Sequence, residues 1–270
     1  MNLIKESFNF FKELFGKKYM IYQLVKNDLK IKYLGSHLGI IWAFIMPFVM
    51  VFVMRFVLQK GLKVGNMDGI PFLAWLIPGQ AAWTFFNEAL VTSTNTYIEY
   101  AYLVKKVNFR ISILPLVKIL SALFIHFLFL LVVLIILFFS KIPFSIYWFQ
   151  VFYYVFALSL FVLGLSWITA SLNVFVKDVL PVIVVILNFG MWLTPVFWNY
   201  KTLENKTIKM IVMLNPLTYI MDGYRKCFLY KTPFWNDGIW MVYFWGLTVL
   251  FMLVGVFLFK KLKPHFADVL

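Results

Sequence analysis

The sequence predicts an all-α integral membrane protein with six transmembrane helices, an N-terminal amphipathic interface helix and re-entrant helices between spans 5 and 6. Three observations support this fold class. Of the 270 residues, 63% are hydrophobic and only 13% are charged, whereas a soluble chain is about 45–50% apolar and about 25% charged. Apolar segments of about 20 residues, the length of one spanning helix, recur along the chain. The net charge is +14, with 25 Lys and Arg against 11 Asp and Glu.

The positive charge indicates a membrane surface rather than nucleic acid as the partner. In a chain this apolar, Lys and Arg collect in cytoplasmic loops and face anionic lipid headgroups. The single cysteine, Cys227, excludes an internal disulfide and a cysteine-based metal cluster. Residues 1–37 contain seven lysines and no sustained apolar core, so no cleavable signal peptide is expected.

The first predicted element is an interface helix at residues 3–15. Its apolar and charged side chains lie on opposite faces, and it is too short and too charged to span. A second basic segment follows at 19–34. The six spans are predicted at residues 38–58, 71–94, 114–139, 148–174, 179–198 and 239–259.

Two segments carry further structural signals. Gly164, Ser166 and Ala170 in span 4 are small enough for close helix packing. Residues 207–221 are apolar but broken by Asn215-Pro216, a turn or helix-break signal. A re-entrant pair of half-helices is the physical interpretation, because such backbone is tolerated in a membrane only when it is packed in protein or lines a wet cavity.

The whole chain, 1–270, is predicted to be one transmembrane domain. A cytoplasmic lead-in occupies 1–37, the six-span core 38–260 and a cytoplasmic tail 261–270. With both termini inside, 15 of the 25 basic residues lie in cytoplasmic segments, as the positive-inside rule requires. The segment between spans 5 and 6 does not follow this rule, because it would lie outside and yet contains six basic residues. The expected location is the plasma (inner) membrane.

Residue types that carry out chemistry are sparse. There is no Gly-rich phosphate-binding loop, and His37, His126 and His265 are scattered without the spacing of a metal site. We expect no catalytic residues, no metal and no cofactor on this chain. His126 in span 3 is interpreted as a packed, hydrogen-bonded residue, with a proton relay as the alternative. Asp178 is the only acid between spans 4 and 5, so an enzyme site is weakly supported.

Charged and aromatic residues within the spans each have two interpretations. Arg55, near the outer end of span 1, is expected to snorkel to the headgroups. Glu88, in the polar inner half of span 2, either pairs at the cytoplasmic interface or lines a hydrophilic path. Aromatic side chains of spans 1 and 5 face lipid by default, but they would stack on sugar rings if the two faces met. These aromatics are Trp42, Phe44, Phe48, Phe52, Phe189, Trp192 and Trp198.

A polar, basic stretch at 96–115 separates two apolar segments. Residues 96–106 have the pattern of a short amphipathic helix, and Pro115 opens the next apolar run. This stretch is either a basic loop that fixes orientation or a docking element through which a soluble partner acts on the spans. We call residues 96–106 the coupling segment.

Six segments of the sequence occur together in one known family. They are LVKNDLKIKYLGSHLGIIWAFIMP (24–47), DGIPFLAWLIPGQAAWTFFNEAL (68–90), LVKKVNFRISILPL (103–116), LNVFVKDV (172–179), LTPVFW (193–198) and NPLTYIMDGYR (215–225). In these segments the chain resembles the type-2 ABC transporter permeases of the polysaccharide, O-antigen and wall teichoic acid exporter family. The similarity covers nearly the whole chain, in order. Arg110 and Lys177 depart from the family pattern, and Arg110 stands where many relatives have Pro.

The resemblance implies a homodimer of this chain with two copies of a cytoplasmic ABC ATPase, which would bind ATP and Mg. The cargo would be a glycan on an undecaprenyl-pyrophosphate-type lipid. The ATPase would contact the coupling segment at Tyr97, Ile98, Glu99, Tyr100, Tyr102, Leu103, Lys105 and Lys106. The conduit would be lined by Trp42, Phe48, Phe52, Phe85, Glu88, Phe189, Trp192 and Trp198. An outer gate would include Asn215, Pro216, Tyr219 and Arg225.

Two other functions are compatible with the sequence. One is a permease of the same superfamily for a small drug or lipid, against which the aromatic faces of spans 1 and 5 argue. The other is a membrane enzyme acting on lipid-linked sugars, which lacks an acid/base cluster. Among polymers, the DGIPF segment at 68–72 is slightly more similar to teichoic acid exporters than to O-antigen exporters.

Overall fold

The structure, a computed structural model, describes residues 16–34, 39–105 and 111–270, and this part of the chain is helical with no β-strand. The predicted interface helix at 3–15 lies outside the described residues. The helices are α1 (Lys18–Leu34), α2 (Trp42–Met54), α3 (Phe72–Thr94), α4 (Thr96–Glu99), α5 (Ala101–Val104), α6 (Leu114–Phe139), α7 (Val151–Phe175), α8 (Val179–Leu193), α9 (Lys206–Leu214), α10 (Pro216–Arg225), α11 (Gly238–Leu262) and α12 (Phe266–Val269).

Within the described residues, three helical stretches are long and apolar enough to cross a membrane. They are Ile111–Phe139, Ile146–Phe175 and Phe234–Val269, which correspond to predicted spans 3, 4 and 6. Helix α8 is apolar but shorter, because it ends at Leu193 whereas span 5 was predicted to reach residue 198. Helix α3 is long enough, but its second half carries polar residues. The six-span count therefore stays a prediction.

The first predicted span is a continuous helical stretch with a change of pitch. A 3₁₀ turn at Gly39–Ile41 leads into α2, and a π-helical turn at Arg55–Gly61 follows it. Pro47 lies inside α2. The Arg55 side chain is exposed, and its snorkelling to the headgroups stays a prediction.

The predicted helix break at Asn215-Pro216 is confirmed. Asn215 is extended, with ψ 115°, and its side chain accepts a hydrogen bond of 3.0 Å from the Leu217 backbone N–H. Pro216 occupies the first turn of α10, where its missing N–H has no intrahelical partner in any case. The apolar segment is thus two short helices, α9 and α10. Their insertion into a membrane as a re-entrant pair stays a prediction.

The centre of the fold is α3, of whose 23 residues 17 are buried. Beside it, α7 packs closely on α11, and a Cβ atom added at Gly255 would lie 2.7 Å from the Gly164 carbonyl oxygen. Ser166 and Ala170 are also fully buried, so the predicted role of the small residues of span 4 in close packing is confirmed. Helix α8 is far less buried than α3, because Leu187 is its only buried residue.

Candidate functional site

The aromatic side chains predicted for a conduit lie mostly on outward faces of α2 and α8. Phe52 is 71% exposed, Phe189 is 68% exposed and Trp192 is 59% exposed on the single chain. Phe48 and Trp42 are exposed as well. Helix α2 packs on α6, and α8 touches α3 where the Trp83 ring approaches Gly190. Each helix therefore turns a face that includes aromatic side chains away from the core.

Three predicted conduit residues do not lie on these open faces. Phe85 is buried, with its ring 4.9 Å from the His126 ring. Trp198 is half-buried, and its indole N–H donates to the Trp192 carbonyl oxygen at 2.9 Å. Glu88 forms an ion pair with Lys32 of α1. The structure therefore gives Glu88 the pairing role of its two predicted alternatives.

His126 takes the packed role expected of it rather than a place in a chain of titratable groups. Its Nε2 lies 2.9 Å from the Tyr224 hydroxyl oxygen, and both residues are buried. This hydrogen bond joins α6 to α10. Among the described residues, no group of three or more His, Cys, Asp or Glu side chains has a metal-binding arrangement.

The coupling segment is two short helices instead of the single amphipathic helix predicted. Tyr100, with φ −102° and ψ 30°, interrupts the helix between α4 and α5. The Lys106 position lies outside the described residues. A surface that a partner can reach is formed by Ile98, Tyr102 and Lys105, which are exposed.

Two tyrosines predicted to contact a partner are instead buried inside the chain. The Tyr97 ring packs 5.9 Å from the Phe259 ring and 5.2 Å from the Phe266 ring. Tyr100 is 3% exposed. Because apolar contact removes both rings from the surface, they anchor the coupling segment to the helical bundle. Leu103 is half-buried against the same cluster.

A buried charge cluster beneath the coupling segment was missed by the sequence interpretation. Lys118 near the start of α6 is ion-paired with Asp28 of α1 and, at 2.6 Å, with Glu99 of α4. The Tyr100 hydroxyl donates to Asp28 at 3.2 Å. The three charged residues come from separate segments of the sequence. Glu99 was predicted to contact the ATPase, whereas Asp28 and Lys118 were interpreted only as charged residues of cytoplasmic segments.

Two pKa values in this region are raised. Burial raises the pKa of the Tyr100 phenol, and the neighbouring carboxylates of Asp28 and Glu99 raise it further. For Lys32, burial lowers the pKa, but the attraction of Glu88 outweighs it and the pKa lies above its usual value. Both groups therefore keep their protons at neutral pH, and Lys32 stays charged opposite Glu88.

At the opposite end of α3, the predicted gate residue Arg225 is 2% exposed and held by neutral groups. Its Nη1 donates to the Pro195 carbonyl and its Nη2 to the Val196 carbonyl, each at 2.8 Å. The guanidinium carbon lies 3.6 Å from the centre of the Trp75 ring, a cation–π contact. Arg225 thus joins α10, α3 and the turn after α8.

The other predicted gate residues lie around the same end. Asn215 donates from its side-chain amide to the Thr194 hydroxyl at 2.8 Å. The Tyr219 hydroxyl lies 3.0 Å from that of Tyr153, with 7% of the Tyr219 side chain exposed. Pro216 begins α10. Asn215, Tyr219 and Arg225 therefore belong to one packed cap.

An ionic network beside this cap was also missed from sequence. Asp222 pairs with Lys201 at 2.9 Å and with Lys226 at 3.0 Å, and Lys226 also pairs with Asp237. Thr218, Tyr219 and Asp222 are among the residues that line a small pocket of about 40 Å³ next to these charges. Only the i, i+4 spacing of Asp222 and Lys226 was visible in the sequence.

Comparison with known proteins identifies the family of the chain. The chain is 26% identical over 250 residues to the "O-antigen export system permease protein RfbA" of Klebsiella pneumoniae, covering 92% of this chain and 93% of that protein. It is 23% identical over 260 residues to the protein of the same name from Myxococcus xanthus, covering 95% and 97%. Residues 19–229 match the family described as ABC-2 type transporter. Since that match spans most of the sequence, this chain belongs to the ABC-2 type transporter family.

Proposed function

We propose that this chain is the transmembrane permease subunit of an ABC exporter that moves a lipid-linked cell-surface polysaccharide across the plasma membrane. ATP hydrolysis takes place in a separate partner subunit. The observation that carries the proposal is the pair of outward aromatic faces on α2 and α8, which a single chain leaves open. The relatives named as O-antigen export permeases support the same class of cargo.

The exposed side chains of α11 provide an internal reference for a lipid-facing surface. They are mainly aliphatic and include Val242, Val249, Leu250, Leu253 and Val254. The faces of α2 and α8 carry the rings of Phe52, Phe189 and Trp192 beside aliphatic side chains such as Val53 and Val185. Aromatic rings stack on the flat faces of sugars without requiring a fixed register, so such a surface lets a polymer slide. In a homodimer, the α2 and α8 faces of the two copies would together line the conduit.

Contacts within the chain support a six-span topology with both termini in the cytoplasm. Tyr97 packs against Phe259 and Phe266, so the coupling segment and the end of α11 lie on one side. The chain must therefore cross the membrane an even number of times between the coupling segment and the end of α11. Crossings by α6, α7, α8 and α11 meet this requirement. The Lys32–Glu88 pair holds α1 on the same side, near the end of α3. Crossings by α2 and α3 complete the six.

The coupling segment is the proposed contact with the ATPase. Ile98, Tyr102 and Lys105 offer an exposed surface of mixed apolar and basic character. Tyr97 and Tyr100 tie that surface to the bundle, so a force applied to it reaches α6 and α11. Two ATPase subunits, each with its own ATP and Mg, would serve the two permease copies.

The packed cap around Arg225 is the proposed outer gate. The proposed gate includes a re-entrant pair made of α9 and α10, with Asn215 and Pro216 at the turn between them. Irregular backbone inside a membrane has to be satisfied within the protein, and the side chain of Asn215 at the turn is hydrogen-bonded to Thr194 and to the Leu217 N–H. Asn215, Tyr219 and Arg225 fix α10 to the elements around it.

The proposed cargo is a glycan carried on an undecaprenyl-pyrophosphate-type lipid. The names of the relatives favour the O-antigen class, whereas the DGIPF segment (68–72) favoured teichoic acid slightly. A small drug or lipid as cargo would not require exposed aromatic side chains along two helices.

The experiment that tests the proposal is purification of the tagged chain from its native membrane, with the co-purifying proteins identified and quantified. The expected result is an ABC ATPase in equal amount. Deletion of the chain should also remove one glycan from the cell surface. A chain that purifies without any ATPase and whose deletion leaves every surface glycan unchanged would contradict the proposal.

A further inference from the structure

Lys118 is a buried cation whose two carboxylate partners come from two other elements. Its side chain is 6% exposed, and it pairs with Asp28 of α1 and, at 2.6 Å, with Glu99 of α4. A buried ammonium group is tolerated only when it is paired and hydrogen-bonded. Three elements therefore meet at one charge.

The two ion pairs differ in their access to water. The Asp28 side chain is 11% exposed, whereas that of Glu99 is 41% exposed. A partly exposed carboxylate exchanges an ion pair for water at little cost. Separating Asp28 from Lys118 would instead leave the buried Asp28 carboxylate with only the Tyr100 hydroxyl as a partner, which is strongly unfavourable. The Asp28 contact is therefore the permanent one, and the Glu99 contact is exchangeable.

Tyr100 connects the exchangeable contact to the shape of the coupling segment. Its hydroxyl donates to Asp28 at 3.2 Å, and its ring centre lies 5.1 Å from the Lys118 ammonium nitrogen. Tyr100 occupies the interruption between α4 and α5, where the backbone leaves helical geometry. Glu99 precedes this interruption and is exposed, so its carboxylate can leave Lys118 while the Tyr97 and Tyr100 rings stay buried.

We propose that Lys118 is a positioning residue that holds the coupling segment against α6 through Glu99. This contact opens when the coupling segment moves, while the Lys118–Asp28 pair stays closed and keeps α1 on α6. The inference rests on the proposed function, because it describes how movement driven by an ATPase reaches the helices.

The test uses the complex of the chain with its co-purified ATPase and two measurements. The first is the melting temperature of the complex, and the second is its rate of ATP hydrolysis relative to the ATPase subunit alone. Three variants are compared: Glu99→Gln, Asp28→Asn, and the double variant Asp28→Asn with Lys118→Met. Lys177→Met, which removes an exposed lysine from the turn between α7 and α8, is the matched control.

Glu99→Gln is expected to lower the permease-dependent ATPase rate about fivefold or more, the usual scale of coupling between sites, with an unchanged melting temperature. Asp28→Asn is expected to lower the melting temperature by several degrees. The double variant is expected to restore the melting temperature, because an apolar side chain replaces a buried charge. It should still show the lowered ATPase rate, since Glu99 has lost its cation.

Two results would overturn the inference while leaving the proposed function intact. One is a Glu99→Gln complex with the wild-type ATPase rate. The other is a double variant that recovers both the melting temperature and the ATPase rate, which would make the cluster purely structural. A wild-type complex that shows no permease-dependent hydrolysis would instead overturn the proposed function, and this inference with it.

Discussion

Each end of the helical bundle contains a buried cation, and the two are held by different kinds of ligand. Arg225 donates to backbone carbonyls and lies against the Trp75 ring, near the start of α3. Lys118 is held by two carboxylate side chains, near the end of α3. Backbone carbonyls are fixed by the fold around them, whereas a carboxylate on a side chain can rotate towards water.

This difference separates a fixed end from an adjustable end. Around Arg225, every acceptor belongs to a packed turn or helix, so movement there requires the whole cap to shift. Around Lys118, one ligand is buried and the other is partly exposed, so one contact can open while the other holds. We expect conformational change to begin at the Lys118 end and to reach the Arg225 end through the helices.

The largest loss of stability is expected from Arg225→Met. The change leaves the carbonyls of Pro195 and Val196 without their donor in a buried site, and each unsatisfied group costs about 1–3 kcal/mol. A loss of about 3 kcal/mol or more in the free energy of unfolding is expected, measured by denaturation in detergent. The stability of Arg225→Lys should lie between those of the wild type and Arg225→Met, because Lys keeps the charge but not the forked geometry of the guanidinium group. Wild-type stability in the Met variant would refute the fixed-end interpretation.

A smaller loss is expected from Gly223→Ala at the same end. A Cβ atom there would overlap the Tyr154 ring, and Tyr154 is fully buried. Overpacking of this kind typically costs about 1–3 kcal/mol. The matched control is Gly246→Ala in α11, where no atom lies within 4 Å of the added Cβ. Equal melting temperatures of Gly223→Ala and Gly246→Ala would contradict the tight packing of α10 against Tyr154.

The smallest change is expected from Lys32→Gln at the adjustable end. The Lys32–Glu88 pair is partly exposed, and such pairs contribute about 0–1 kcal/mol. Because pairing raises the pKa of Lys32 above 10.5, its contribution is present below that pH and is lost as pH rises through the folded-state pKa. Thermal melts of wild type and variant at pH 7 and above pH 10.5 should differ at the lower pH and converge at the higher. A large difference that persists at high pH would show a role other than ion pairing.

Local sequence signals predicted the helices well. The boundaries of α6 coincide with those predicted for span 3, and Asn215-Pro216 gives the break between α9 and α10. Both depend on hydropathy or on backbone chemistry within a few residues. Span 5 was predicted too long because the residues after Leu193 are apolar, yet their backbone forms the turn that Arg225 binds.

The sites depend on contacts that no local pattern contains. Residues 28, 99 and 118 meet only because α1, the coupling segment and α6 pack together. Tyr97 and Tyr100 were assigned to a partner-facing surface because amphipathic spacing does not reveal which side another part of the chain covers. In the structure, α11 and α12 cover Tyr97. Likewise, the two interpretations of Glu88 were separated only by the position of Lys32.

The central claim is that the outward aromatic faces of α2 and α8 form the path of a polysaccharide. The most direct measurement is the amount of glycan at the cell surface for Trp192→Ala compared with Phe257→Ala. Both residues are exposed aromatics, the first on α8 and the second on the reference surface of α11. We predict that Trp192→Ala strongly reduces surface glycan while ATP hydrolysis continues, and that Phe257→Ala leaves export at the wild-type level. Equal export by the two variants would contradict the account and assign the α8 face to lipid.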